Sequence, residues 1–202
     1  MTRHNSCPNP ASSVNITGWT GGSVPAQAIG LVGMSRTTGA RYTSGSFFQT
    51  PTAAANPGDT VTISVDVLTE VFDDPSIDLY MFAKRSAGGD VQIGAIDHPT
   101  LTHGLVSRFA ITRTCPALTT GVYVVADGIN MVISPTVVTG CLVEISPTAD
   151  PYFDGDSPLG AWDGTPGLST STLNDAPPGT PDRKSTRQNS SHNTLSRMPS
   201  SA

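Results

Sequence analysis

Thr60-Val61-Thr62-Ile63-Ser64-Val65-Asp66-Val67-Leu68 alternates strictly: Val61, Ile63, Val65 and Val67 are apolar, and the residues between them are polar. A period of two with β-branched side chains describes a strand with one face on a core and one face in water. The turn Asn56-Pro57-Gly58-Asp59 launches it. Working outward, the same pattern recurs. Ile77–Lys84 sets Ile77, Leu79, Met81 and Ala83 against Asp78, Tyr80, Phe82 and Lys84. After the hairpin signal Ala87-Gly88-Gly89-Asp90, Val91–Ile96 turns Val91 and Ile93 inward and Gln92 outward. Leu105–Thr112 buries Leu105, Phe109 and Ile111 and points Arg108 out; Gly121–Ala126 gives Val122 and Val124 to the core and Tyr123 to the other side. Val137–Ile145 turns Cys141, Val143 and Ile145 in and Glu144 out, and Met34–Tyr42 and Ser46–Thr50 are shorter candidates. About eight to ten short strands bounded by Gly, Pro, Asn or Asp, with no amphipathic helix and no internal repeat, predict an all-β sandwich or barrel.

Composition agrees. In 202 residues only 13% are charged, while Gly (20) and Pro (17) are abundant, as a turn-rich β protein requires. The formal net charge is −5; without the four bases and one acid of residues 182–202, 7 bases face 15 acids, or −8. An acidic chain with scattered bases has no footprint for a phosphate backbone, so nucleic acid is not an expected partner. No apolar run reaches the roughly 18 residues of a membrane span, and the N-terminus lacks the apolar core of a signal peptide. Asn15-Ile16-Thr17 fits a glycosylation sequon, read here as chance. Cys7, Cys115 and Cys141 form an odd set without CxxC spacing. They read as small buried hydrophobes, with one disulfide of undetermined pairing as the alternative.

Nothing in the sequence assembles a catalytic site. Paired glycosidase carboxyls stand about 5–10 Å apart across a cleft, one with a raised pKa. Asp154 and Asp156 flank a Gly turn and Asp73-Asp74 precedes a Pro, so all four are expected to be solvated. His4, His98 and His103 lack metal-ligand spacing, and no nucleophile elbow or phosphate loop is present. Binding is the better reading. Sugar rings stack their C–H faces on aromatic rings, and their hydroxyls bond to Asp, Asn, Gln and Arg. Alternation puts Tyr80, Phe82, Tyr123, Gln92, Asp78 and Arg108 on one sheet face, a candidate carbohydrate-binding surface. The competing reading has that face covered by a later segment. Trp19 has two readings as well, a core plug or a sugar platform.

That later segment is Asp150-Pro151-Tyr152-Phe153-Asp154-Gly155-Asp156-Ser157-Pro158, continued by Ala161-Trp162-Asp163-Gly164-Thr165-Pro166 and Ser169-Thr170-Ser171-Thr172. Asp-Gly-Asp forces a tight turn, Pro158 and Gly160 forbid a helix, and Trp162 returns to dock beside Tyr152 and Phe153. Asp154 and Asp156, with Asp150 and Asp163 near, offer oxygens to a calcium ion, but no EF-hand pattern follows; an Asx-rich turn is the favoured reading, and no cofactor is expected.

The motif Tyr152-Phe153-Asp154-Gly155-Asp156-Ser157-Pro158 with Trp162-Asp163-Gly164-Thr165-Pro166 resembles the segment that closes a carbohydrate-binding-module-like domain in minor tail proteins of actinobacterial phages. Asn5-Ser6-Cys7-Pro8-Asn9-Pro10 with Thr17-Gly18-Trp19, and Ser35-Arg36-Thr37-Thr38-Gly39-Ala40, resemble its opening blocks. Where that family carries an aromatic and a Glu, this chain has Ala11-Ser12-Ser13, so the structural calcium of related sugar-binding modules does not carry over. The resemblance implies a jelly-roll β-sandwich over residues 1–148, an irregular closing segment over 149–172 and a disordered tail over 173–202. It implies a virion protein, made in the host cytoplasm, whose partners are other tail subunits and a host-surface glycan. The rival functions are an accessory sugar-binding module of a secreted polysaccharide-degrading enzyme and a tail spacer without ligand. Residues 182–202 resemble a translated short-read sequencing adaptor, Asp182-Arg183-Lys184-Ser185-Thr186-Arg187 matching one constant block and Ser196-Arg197-Met198-Pro199-Ser200-Ser201-Ala202 the next. On that reading the natural chain is truncated here near Pro181, and whatever followed it is lost.

Overall fold

The computed structural model describes residues 2–12, 14–21, 25–43, 47–71, 78–97, 99–127 and 135–174. In chain order the strands are β1 (Arg3–Asn5), β2 (Thr20–Gly21), β3 (Ala26–Ile29), β4 (Thr38–Tyr42), β5 (Phe47–Gln49), β6 (Ala53–Ala54) and β7 (Thr60–Thr69). They continue as β8 (Asp78–Arg85), β9 (Val91–Ile96), β10 (Ser107–Thr114), β11 (Thr119–Asp127), β12 (Thr136–Ile145), β13 (Gly160–Trp162) and β14 (Ser171–Leu173). No described residue is helical. One sheet runs β10-β7-β12-β4-β3 and a second runs β2-β5-β11-β8-β9, with β6 on β11; every pairing is antiparallel. A third, small sheet runs β1-β14-β13. The result is the all-β sandwich that alternation predicts, in the jelly-roll form that the resemblance implies.

The core is where the two alternations meet. Val61, Ile63, Val65 and Val67 of β7 join Leu79 and Met81 of β8, Val122 and Val124 of β11, and Phe48 of β5 in one buried cluster. Tyr42, Leu101 and Trp19 belong to it as well. Trp19 is therefore a core plug, its Nε1 donating to Asn9 O at 2.9 Å. The three cysteines are buried free thiols.

Two bulges reset the pattern where strict alternation misleads. In β12 the register to β7 shifts between Thr139 and Leu142, around Gly140 at φ +59°, so Leu142 pairs with Ser64 and Glu144 with Thr62. In β9 the register shifts beside Phe82, which pairs with Gln92, while Met81 pairs with Gly94. Ile93 and Ile96 then both pack on the core.

Several expectations need correction. Leu105 is exposed in the turn before β10, and Ile145 is exposed at the last position of β12. The Met34–Tyr42 candidate begins only at Thr38, and Ser46–Thr50 contracts to Phe47–Gln49. The polar side of β7 is not wet: Thr62, Ser64 and Asp66 are buried, as is Glu144. The closing segment is mostly loop, but β13 and β14 pair with each other and β14 with β1. Asp73, Asp74 and Ile77, and residues 175–202, lie outside the described residues.

Asn5 joins the pieces. Its Oδ1 accepts from Cys7 N and Val143 N, both at 3.0 Å, and its Nδ2 donates to Cys141 O at 3.2 Å and Phe153 O at 3.3 Å. Asn5→Ala leaves four buried backbone groups short of a partner, and the expected loss is about 3 kcal/mol or more in denaturant unfolding. Leu79→Ala is expected to cost about 2–5 kcal/mol by cavity formation, whereas Ile29→Ala on the exposed edge changes stability by about 0.5 kcal/mol or less.

Candidate functional site

The outer face of the β2-β5-β11-β8-β9 sheet carries the candidate site. Because Leu79, Met81 and Ala83 are core residues, Asp78, Tyr80 and Phe82 project from the opposite side of β8. Register places Tyr123 directly beside Phe82 on one flank and Gln92 on the other. The Phe82 and Tyr123 rings are stacked, centroids 5.5 Å apart and planes 10° from parallel. Each tyrosine is anchored by an acid. Tyr80 OH donates to Asp78 Oδ2 at 3.0 Å, and Tyr123 OH donates to Asp90 Oδ2 at 2.9 Å. The bond to Asp78, with some burial and the charges of Asp78, Asp97 and Asp127, raises the Tyr80 phenol above its ordinary value. Burial and the Asp90 bond push Tyr123 up to about 12. Both hydroxyls are neutral donors held in fixed directions.

Five of the six candidate residues therefore share this face. Arg108 does not, and this is the main correction. It sits on β10 in the other sheet, where its guanidinium donates to Asp66 Oδ1 at 2.8 Å, Ser64 Oγ at 2.7 Å and Gly140 O at 3.2 Å. Alternation gives a side, not a sheet, and Arg108 faces outward from the wrong one. The aromatic face has further members. Val125 pairs with Tyr80 and Gln49, Thr20 pairs with Gln49, and Asp127 pairs with both Asp78 and Phe47. Gln49 and Phe47 escape sequence reasoning because a three-residue strand shows too little alternation to reveal its faces, and Phe47-Phe48 does not say which ring turns in; the structure buries Phe48.

The closing motif does not cover this face; it covers the other sheet. Tyr152 lies against Arg108, whose guanidinium carbon is 5.7 Å from the ring centroid, and Arg3 stands 4.7 Å over the Phe153 ring. The Asp154 side chain is fully buried, so the expectation of a solvated acid fails. Its Oδ2 contacts Arg36 Nε at 3.0 Å and accepts from Tyr152 OH at 2.8 Å; its Oδ1 accepts from Asp156 N at 3.0 Å. Arg36 Nη2 reaches Asp156 Oδ2 at 2.6 Å, and Trp162 Nε1 donates to Asp156 Oδ1 at 2.9 Å. Trp162 thus docks on the Asp-Gly-Asp turn: a Cβ on Gly155 would stand 2.2 Å from its Cγ. Asp163 accepts from Thr170 and Thr172 at 2.8 Å each, with His4 Nδ1 at 3.4 Å, and Asp150 lies 3.8 Å from Arg3.

The four acids proposed as calcium ligands thus already face partners in the chain. Among the described residues no cluster of three or more His, Cys, Asp or Glu side chains has the geometry to hold a metal. His4 and His103 lie on separate elements, and His98 is outside the described residues. A pocket of about 330 Å³ beside Arg3, Glu144 and Asp150 is lined by a bidentate Arg3–Glu144 pair at 2.7–2.8 Å. The aromatic face, by contrast, is an open surface.

No protein-family model matches the chain, and no curated protein matches it. Solved structures do. A family 16 carbohydrate-binding module aligns with TM-score 0.52 at 13% identity, over 69% of this chain and 99% of that one. The chain has a carbohydrate-binding-module fold. The N-terminal tandem of family 22 carbohydrate-binding modules from Paenibacillus barcinonensis Xyn10C aligns with TM-score 0.52 at 14% identity, over 71% of this chain and 50% of that one. The enzymatically active domain of bacteriophage CBA120 tailspike protein 4 aligns with TM-score 0.50 at 13% identity, over 69% of this chain and 21% of that one.

Two outcomes test this geometry. Gly155→Ala expels the Trp162 ring and is expected to red-shift its emission and cost about 1–3 kcal/mol. All four tyrosines are shifted upward, Tyr42 and Tyr152 chiefly by burial. A raised folded pKa keeps its stability below the unfolded value and loses it as pH climbs through the folded one. Spectrophotometric titration of the native protein at about pH 10, where free tyrosine is half ionised, is therefore expected to show little phenolate, and stability falls above that pH.

Proposed function

We propose that the chain is a non-catalytic carbohydrate-binding domain of a phage tail, which contacts a host-surface glycan through the outer face of the β2-β5-β11-β8-β9 sheet. The observation that carries this is the stacked Phe82–Tyr123 pair, with Tyr80 on the same strand and Gln92 and Gln49 at its flanks. Flat apolar rings beside carboxamides and anchored hydroxyls match what a sugar chain offers: C–H faces for stacking and hydroxyls for hydrogen bonds. An open sheet face suits a polymer better than a small molecule, which needs a concave pocket.

The non-catalytic part of the proposal rests on the acids. Asp154 is fixed by Arg36, and the Trp162 bond, against slight burial, with Arg36 holds the Asp156 carboxyl below its usual range, the opposite of a general acid. The domain requires no cofactor on this reading, because Asp154, Asp156 and Asp163 already face protein partners. The virion assignment, with other tail subunits as partners and assembly in the host cytoplasm, rests on the motif resemblance. The tailspike alignment adds that a bacteriophage protein carries the same fold. Residues 182–202 belong to the sequencing adaptor under this proposal.

Binding to immobilised host-wall polysaccharide tests the reading. Tyr80→Ala and Phe82→Ala are each expected to weaken it by about tenfold or more, near 1.4 kcal/mol, while the far-UV spectrum remains that of a β-sandwich. Unaltered binding by both variants would move the site elsewhere, and no binding by the parent to any glycan would leave a tail spacer. An accessory enzyme module is the second reading, because the family 22 tandem shows the fold in such a module pair. Neighbouring tape-measure and baseplate genes support the tail; a glycoside hydrolase domain in the same reading frame supports the module.

A further inference from the structure

Two cysteine side chains meet under the closing segment. Cys7 follows β1 and Cys141 follows the Gly140 bulge of β12; both are fully buried, the Cys7 thiol donates to Pro8 O at 3.5 Å, and the Cys141 side chain is its neighbour. The backbone holds them there. Asn5 Oδ1 accepts from Cys7 N and from Val143 N, Asn5 Nδ2 donates to Cys141 O, and Cys141 N donates to Pro10 O at 2.9 Å. Ser6 N donates to Val143 O at 2.8 Å. The chain on both sides of Cys7 is therefore clamped to Cys141 itself and to Val143. Cys115 has another setting: its N donates to Asp59 O at 2.8 Å and its O accepts from Gly58 N at 2.9 Å, at the turn that launches β7.

We propose that Cys7 and Cys141 are a disulfide site, oxidised by a small-molecule disulfide such as glutathione disulfide, with Cys115 remaining a thiol. One protein thiolate attacks the small disulfide, whose S–S bond breaks. A mixed disulfide forms and one small thiol leaves with a proton. The second protein thiolate then displaces the other small thiol, which takes the second proton. The cysteine pair gives up two electrons, the small disulfide takes two, and one S–S bond of about 2.05 Å replaces another.

Timing follows from burial. Neither sulfur is accessible in the closed protein, and burial, reinforced by the neighbouring Cys141 thiol, keeps the Cys7 thiol protonated. The bond therefore forms while residues 5–10 are undocked, in folding or in a transient opening, and is sheltered once they close. It fixes covalently the segment whose Asn5 holds Phe153 O by a hydrogen bond. A cross-link from residue 7 to residue 141 closes a long loop, the case in which chain entropy predicts large stabilisation. The site does not depend on the sugar-binding reading.

The test refolds the full chain from denaturant in a glutathione redox buffer and, in parallel, in dithiothreitol. Free thiols are alkylated in denaturant, and the chain is cut with trypsin and then at aspartates, which separates Cys115 from Cys141 at Asp127. Mass spectrometry is expected to find the Cys7 peptide joined to the Cys141 peptide and Cys115 alkylated. The oxidised protein is expected to melt about 5–15 °C above the reduced one. Cys115→Ser keeps that difference, and Cys7→Ser abolishes it. Alkylation of Cys7 and Cys141 after refolding in the glutathione buffer, or a linked peptide containing Cys115, overturns the proposal. Because the peptide map uses the unsubstituted chain, a variant that fails to fold does not rescue it.

Discussion

A carboxylate with no solvent exposure sits at the centre of this structure. Taking the Asp154 charge out of water is costly unless it is paired and hydrogen-bonded. Arg36, Tyr152 OH and the Asp156 amide meet that demand. Each brings a segment with it: the loop before β4, the start of the closing motif, and the turn that seats Trp162. Satisfying one charge thus fixes the closing segment over the β10-β7-β12-β4-β3 sheet. Once covered, that sheet has to satisfy its own polar face, and Arg108 does so for Ser64 and Asp66, as Arg3 does for Glu144.

This arrangement divides the sandwich into two unlike surfaces. On one outer face the polar side chains of β7 and β12 are buried and paired within the chain. The other is left to its aromatic residues, and there the same chemistry works differently: Asp78 and Asp90 anchor tyrosine hydroxyls instead of meeting arginines. A phenol fixed by a carboxylate loses little freedom when a ligand arrives, which lowers the ordering cost of binding. The stack of Phe82 on Tyr123 further restricts both rings. The β10-β7-β12-β4-β3 sheet thereby serves as the support, and on the proposed reading recognition falls to the opposite side.

Much of this was legible in the sequence. Period two in Thr60–Leu68 gave the β7 core face correctly, and the same pattern in β8 and β11 brought Tyr80, Phe82 and Tyr123 together. What failed has physical causes. Alternation says which residues share a side, not what covers it, so it predicts a wet Ser64 and Asp66 where the structure buries both. It does not assign a strand to a sheet, so Arg108 was placed beside aromatics it never meets. Its logic breaks at bulges, where Gly140 shifts the β12 register, and at strand ends, where Ile145 and Leu105 run out of core. The Asn5 hydrogen bonds join positions more than 130 residues apart, and no local pattern encodes that.

The Tyr-Phe-Asp-Gly-Asp motif, the most distinctive stretch in the sequence, turns out to be scaffold. Its identities are dictated by close constraints: Gly155 has no room for a Cβ under Trp162, Gly160 has none against Asp154 O, and Asp154 must match Arg36. Such positions tolerate little change, so they advertise the fold and are silent about the ligand. The aromatic face is constrained far less, because Gln92, Gln49 and Tyr80 project from regular strands, where another side chain fits without moving the backbone. Resemblance through the motif and likeness at 13–14% identity to carbohydrate-binding modules accordingly converge on architecture. On the proposed reading, specificity for one glycan over another is written in the residues those comparisons weigh least, and that is where substitutions are expected to alter binding without disturbing the fold.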